Sequence, residues 1–108
     1  MTFRTVGDNH NPVAVLIHAM FIDDSMFNNL IPYLKNRYYI ILPILDGHDS
    51  KSDQEFISIS EESIQIATYL SAEKIDKVEL LLGNSLGGII AFDLFQSHGL
   101  DIAHGLLD

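Results

Sequence analysis

A mostly parallel β-sheet with flanking helices, the α/β class, is the fold this sequence predicts, and three observations predict it. Residues 13–17, 38–43 and 78–82 are short apolar runs rich in branched side chains, with little of the polar alternation of a half-exposed strand. Such runs mark strands buried on both faces. Segments with helical spacing of apolar residues lie between them. Strands alternating with helices require right-handed crossovers and hence parallel pairing.

Thr2–Val6 reads as a short edge strand, and the turn formers of residues 7–12 close it. Val13–Ile17 is the first core strand. Asp24 or Ser25 is a candidate cap for the helix that follows, with Phe27, Leu30, Ile31 and Leu34 on one face. Pro32 must kink that helix or sit in its first turn. Residues 38–43 form the next buried strand, and the loop over 45–53 is polar and carries Gly47. Ser58 and Glu61 have the spacing of a capping box, with Ser60 an equal alternative. Ile66, Tyr69 and Leu70 make the inner stripe of the next helix. After the strand at 78–82, residues 86–98 read as a helix apolar nearly all round, expected to be buried and ended by Gly99. Residues 103–107 start one more strand.

The 108 residues suffice for one domain. A domain of this size buries roughly 60–70% of its unfolded surface, so a core is possible. The apolar fraction of 47% fits a globular chain. Cysteine is absent, so disulfides and thiolate metal sites are excluded. Six Lys and Arg stand against fifteen Asp and Glu, a formal charge of −9. That balance argues against nucleic acid and against anionic membrane surfaces. The acids are scattered, as on a solvated surface. No secretory h-region is visible, and the longest uncharged stretch, residues 9–22, is too short to span a bilayer. A soluble, cytoplasmic protein is the expectation.

Gly83-Asn84-Ser85-Leu86-Gly87 fits G-x-S-x-G, with Gly88 following. The pattern alone is weak, but an apolar strand enters it and an apolar helix leaves it, the setting of a nucleophile elbow. So sharp a turn needs a strained serine, and side chains at Gly83 or Gly87 would collide with strand and helix. The result lifts the Ser85 hydroxyl clear of the sheet, with the Leu86 N–H facing a developing oxyanion. Two other readings are a glycine-rich turn with Ser85 as helix cap, and a phosphate loop. The latter lacks both G-K-[ST] and G-x-G-x-x-G.

Three landmarks, in order, resemble the alpha/beta-hydrolase family over nearly the whole chain. They are a strand ending in a His-Gly-like turn, Val15-Leu16-Ile17-His18-Ala19-Met20; the loop Pro43-Ile44-Leu45-Asp46-Gly47-His48-Asp49-Ser50, similar to D-x-x-G-H-G-x-S; and the elbow. The resemblance implies the N-terminal part of a truncated alpha/beta-hydrolase fold, with Ser85 as nucleophile. It implies an oxyanion hole from the backbone N–H groups of Met20 and Leu86, with Gly83, Gly87 and His18 in support. His18 would hold its loop by hydrogen bonding and would not be the base. Two departures stand out: Ala19 in place of the usual Gly, and Asp49 in place of the second Gly of G-H-G, near the mouth of the site. His48 is expected as a loop or supporting residue, and Asp23, Asp24, Asp46 and Asp49 as surface or capping carboxylates.

In this family the acid and then the histidine follow the serine. After Ser85 the candidates are Asp93, His98, Asp101, His104 and Asp108. Helix rise puts His98 roughly 20 Å from the elbow, and His104 is expected at the start of its strand, the wrong end. Asp108 points toward the correct end and is a minor candidate. The chain as given is therefore expected to lack base and acid, and a bare serine is a poor nucleophile. A strand that stops at Leu107-Asp108 fits a fragment of a longer hydrolase, and a stand-alone remnant is the other reading. The expected function is serine hydrolysis of carboxylic esters, thioesters or amides, with a small acyl substrate and neither metal nor organic cofactor. A lyase or acyl transferase is possible on the same fold. The alternative of a different class is a non-catalytic assembly or small-molecule-binding module. The open strand edge leads us to expect a homo-oligomer or a C-terminal half.

Overall fold

Five strands form one sheet, ordered β1-β3-β2-β4-β5, in a computed structural model that describes residues 1–108. The strands are β1 (Thr2–Val6), β2 (Val13–Ile17), β3 (Tyr39–Ile44), β4 (Lys77–Gly83) and β5 (Asp101–Leu107). β1 pairs antiparallel with β3, and every other pairing is parallel. β2, β3 and β4 are inner strands, which is why their sequences carry apolar residues on both faces.

Alternation divides those residues between two layers. Val15, Ile17, Ile41 and Leu81 meet helices α2 (Ile59–Ala72) and α3 (Leu86–His98) on one face. Leu16, Ile40 and Leu42 meet Phe27 and Ile31 on the other. Ile66, Leu70, Ile90, Ala91 and Leu94 complete the larger core. Complete burial of a Leu or Ile side chain contributes roughly 1.5–3 kcal/mol, so these layers carry most of the stability.

The segment after β2 departs from the single helix expected. A 3-10 turn spans Asp24–Phe27, and a separate α turn, α1, spans Ile31–Leu34 with Pro32 in its first turn. Proline has no N–H to give, so it starts a helix more readily than it continues one. The cap is Asp23, whose carboxylate accepts from Ser25 N–H at 2.9 Å, not Asp24 or Ser25. Ser58 caps α2 by accepting from Glu61 N–H at 3.0 Å, and Gly99 ends α3 in the left-handed conformation.

Two expectations of burial are corrected. α3 buries one side only, leaving Ile89, Phe92 and Phe95 about half exposed, because nothing within residues 1–108 packs beyond it. Conversely, Asp46 and Asp49 are buried rather than on the surface, since both sit in the loop that folds back over the end of β3. His104 falls in the middle of β5, opposite Leu80, not at its start.

Candidate active site

β4 ends at Gly83 and the chain reverses at Ser85, whose backbone takes φ 55°, ψ −116°. For a residue with a Cβ this region costs about 1–3 kcal/mol and persists only when its surroundings enforce it. Here they do. Asn84 N–H donates to Ile17 O at 3.2 Å, Gly87 N–H to Asn84 O at 2.9 Å, and Gly88 N–H to Ser85 O at 2.9 Å. Ser85 N–H donates to the carbonyl of Asp108, whose own N–H donates to Gly83 O at 2.9 Å.

A Cβ on Gly83 would lie 2.6 Å from the Gly87 carbonyl carbon. A Cβ on Gly87 would lie 2.6 Å from the His18 oxygen and 2.7 Å from the Ile17 carbonyl carbon. Both contacts are with backbone, which cannot rotate away. The helix therefore crosses β2 as closely as its own strand. Ser85 is exposed, and its hydroxyl does not cap α3.

The pairing of Ile17 with Gly83 sets the loop after β2 beside the elbow. Between them opens a cleft of about 710 Å³, walled by Met20, Phe21, Ile22, Phe56 and Leu86, with His48 among its polar residues. The N–H groups of Met20 and Leu86 find no acceptor within the protein. Phe21 is almost fully exposed at the rim and has φ 65°. A smaller hollow of about 440 Å³ between the ends of α2 and α3, lined by Leu70, Lys74, Leu94 and His98, lies at the opposite end of the sheet.

His18 is fully buried. Its Nδ1–H donates to Ala19 O at 2.8 Å and its Nε2 accepts from Leu45 N–H at 3.0 Å. Those two bonds select one neutral tautomer and tie the β2 and β3 loops together. Burial is the main reason its pKa lies below the ordinary 6.5. With both nitrogens engaged, His18 has none free for Ser85. His48 stands edge-on to it, ring centres 5.4 Å apart, and donates from Nδ1 to Asp46 O at 3.1 Å.

Under this loop lies a polar cluster that the sequence did not disclose. Glu62 is fully buried and accepts from Asp46 N–H at 2.7 Å. Gln65 Nε2 donates to Asp46 at 2.6 Å, and the Met1 ammonium is 2.6 Å from the other Asp46 oxygen. Desolvation, reinforced by the neighbouring Asp46, pushes Glu62 up to about 7. Asp46 is held below its ordinary value by its hydrogen bonds and the ammonium, which outweigh its own desolvation. Of the two acids, Glu62 is the one held toward its protonated form.

The acids and histidines after Ser85 do not assemble with it. Asp93 accepts from the buried Ser63 hydroxyl, and His98 Nε2 is 3.4 Å from the same oxygen. That trio has the residue types of a hydrolytic triad in a different arrangement. Its serine is buried and its hydroxyl donates to the Asp93 carboxylate, so it serves to latch α2 to α3. Asp108 is the one candidate beside the elbow, its carboxylate 3.2 Å from Asn84 Nδ2. The signals missed in the sequence, Glu62 and Ser63, both lie on the inward stripe of α2 with Ile66 and Leu70.

The chain is 30% identical over 94 residues to an AB hydrolase superfamily protein of Gibberella zeae, covering 83% of this chain and 33% of that protein. It is 30% identical over 82 residues to an uncharacterized hydrolase of Saccharomyces cerevisiae, covering 74% of this chain and 28% of that one. It superposes on the crystal structure of an alpha/beta hydrolase family protein from Desulfitobacterium hafniense with a TM-score of 0.93 and 28% identity, over 99% of this chain and 43% of that one. No family model matches the sequence. The chain thus spans about a third of the curated relatives it resembles.

Proposed function

We propose, for a chain that belongs to the alpha/beta-hydrolase family, that it is the nucleophile-bearing part of a serine hydrolase of carboxylic esters, thioesters or amides. The observation that carries this reading is the elbow. A strained, exposed, uncapped serine shares one end of the sheet with two unpaired N–H groups, those of Met20 and Leu86, on the wall of the adjoining cleft. Ser85 Oγ would attack a carbonyl, and the two N–H groups would receive the oxyanion that develops. Gly83 and Gly87 permit the turn, and His18 holds the loop that carries Met20. The apolar wall of Met20, Phe21, Ile22 and Phe56 suits an acyl or aromatic group. Asp93, His98 and Asp108, which follow Ser85, bond to other partners, which supports a reading in which base and acid come from outside residues 1–108. A soluble, cytoplasmic protein is part of this proposal; no helix is long and apolar enough to cross a membrane. The open β5 edge favours self-association or a covering C-terminal half.

The chain alone should hydrolyse p-nitrophenyl acetate only at trace rates and label weakly with a fluorophosphonate. In a protein of its relatives' length carrying this segment, turnover should rise by orders of magnitude, and Ser85→Ala should abolish the rise. Robust turnover by residues 1–108 would refute the absent base. The second reading, a non-catalytic binding module that kept the elbow as architecture, is favoured by the lone serine. It requires Ser85 to stay unlabelled in the longer protein as well.

A further inference from the structure

A second cavity, of about 330 Å³, adjoins the cleft and shares Asp23 and His48 with it. Its walls come from the start of β1, the end of β3 and residues 48–51. It therefore opens at the same end of the sheet as Ser85, where ligands of α/β folds bind. Its ionic lining is three carboxylates, Asp23, Asp24 and Asp49, against Arg4 and Lys51.

Those charges are not equally free. Arg4 is spent, 3.1 Å from Asp24 and 3.0 Å from Asn28 Oδ1. Asp23 is engaged as the cap of the 3-10 turn. Lys51 is exposed and makes no ion pair. Asp49 is different. It is only 7% exposed, one oxygen accepts from Lys51 N–H at 3.0 Å, and the other, Oδ2, has no partner. Thr2 also lines the cavity, and its Oγ1 is likewise buried and unpartnered. Leaving a buried acceptor unmet is costly, and more so for a carboxylate oxygen. Two such atoms, on two residues that line one hollow beside a candidate active site, have no donor within the protein.

We infer that this cavity is a subsite for an organic cation, an ammonium group carried by the ligand, with Asp49 as its partner and Thr2 as a second acceptor. The inference goes beyond the hydrolase reading and does not depend on Ser85 being acylated. An ammonium brings three donors and a charge, and so meets both orphaned atoms and the surplus carboxylate at once. A metal ion does not fit, because no three His, Asp or Glu side chains stand close enough together to hold one. The departure from Gly to Asp at position 49 is what makes the subsite.

The test is an amide NMR titration of the 108-residue chain with n-butylammonium, and with n-butyrate and n-butanol as controls of matched length. Butylammonium should give saturable shifts centred on Thr2, Asp49, Ser50 and Lys51, butyrate none, and butanol binding roughly tenfold or more weaker. Asp49→Asn retains an oxygen for Lys51 N–H but loses the charge, and should weaken butylammonium by a similar factor. Asp76→Asn, on an exposed residue at the far end of the sheet, should not. Equal responses to butylammonium and butanol, shifts scattered over the surface acids, or unaltered binding by Asp49→Asn would each overturn the assignment. If Asp49→Asn fails to fold, the three probes on the native chain decide the matter alone.

Discussion

At the scale of single residues, the buried Glu62 is the group whose chemistry is most easily isolated. Its folded pKa, about 7, lies above its ordinary 4.5 because ionisation would place a second negative charge beside Asp46 in a desolvated site. The raised value fixes the sign. The stabilising contribution is fully present below pH 4.5 and is lost as pH rises through about 7, where the folded protein must release a proton from a buried acid. The loss is on the order of a few kcal/mol. Thermal melts of the native chain should therefore weaken between about pH 4.5 and 7. Glu62→Gln keeps an acceptor for Asp46 N–H and a donor toward the Asp46 carboxylate, so its melting temperature should change little over that interval. Parallel pH profiles for the two proteins would mean that Glu62 is not the titrating group. His18 acts in the opposite direction, its depressed pKa withdrawing stability as pH falls below about 6.5. This cluster shows where the sequence stops being legible. Ser85 was readable because strand, turn and helix are contiguous. Asp46 and Glu62 were not, because each is buried by the other across sixteen positions of chain, and no periodicity encodes that meeting.

At the scale of elements, the join between β4 and α3 is where geometry is least forgiving. The sequence disclosed the glycine at position 87 and the crowding it relieves, yet assigned that crowding to the entering strand and departing helix. The backbone it would strike most directly is the end of β2 at Ile17 and the residue after it, His18. Only the parallel register of Ile17 with Gly83 brings that carbonyl under the helix. Gly87→Val should thus destabilise the fold by at least about 1–3 kcal/mol, the usual cost of overpacking, because the obstacle is main chain. Gly105, in β5, faces open space. Gly105→Val should be neutral or stabilising, since a branched residue suits a strand. Melting temperatures of the two variants test this, and a Gly87→Val protein as stable as Gly105→Val would mean that α3 does not cross β2 closely. The same contrast explains why strands and helices were found to within one or two residues while the segment after β2 was not. A four-residue α1 behind Pro32 has too few turns to print a period on the sequence.

At the scale of the whole molecule, one edge of the sheet remains unfinished. β1, at the far edge, is only five residues long and runs antiparallel. β5 has seven residues, pairs with β4 alone, and leaves Leu106 and Leu107 about half exposed. Beside it, Phe92, Phe95, Ile102 and Leu107 line a shallow apolar hollow of about 220 Å³. An unpaired strand edge next to exposed aromatic side chains is a template for another strand, and neither Pro nor Lys blunts it. The chain should therefore associate with a second copy through β5, most simply about a two-fold axis. Charge opposes this, because each copy carries −9. Raising salt screens that repulsion while leaving the apolar contact intact, so association should strengthen as ionic strength rises. Light scattering across a concentration series, at low and high salt, measures it. Leu106→Lys places a charge on a side chain that is already 58% exposed, and should return the protein to monomer without unfolding it. A native chain that stays monomeric at high micromolar concentration in high salt would mean that the edge is not adhesive. Its exposed leucines and phenylalanines would then be matched to a covering C-terminal half or another polypeptide rather than to a copy of this chain.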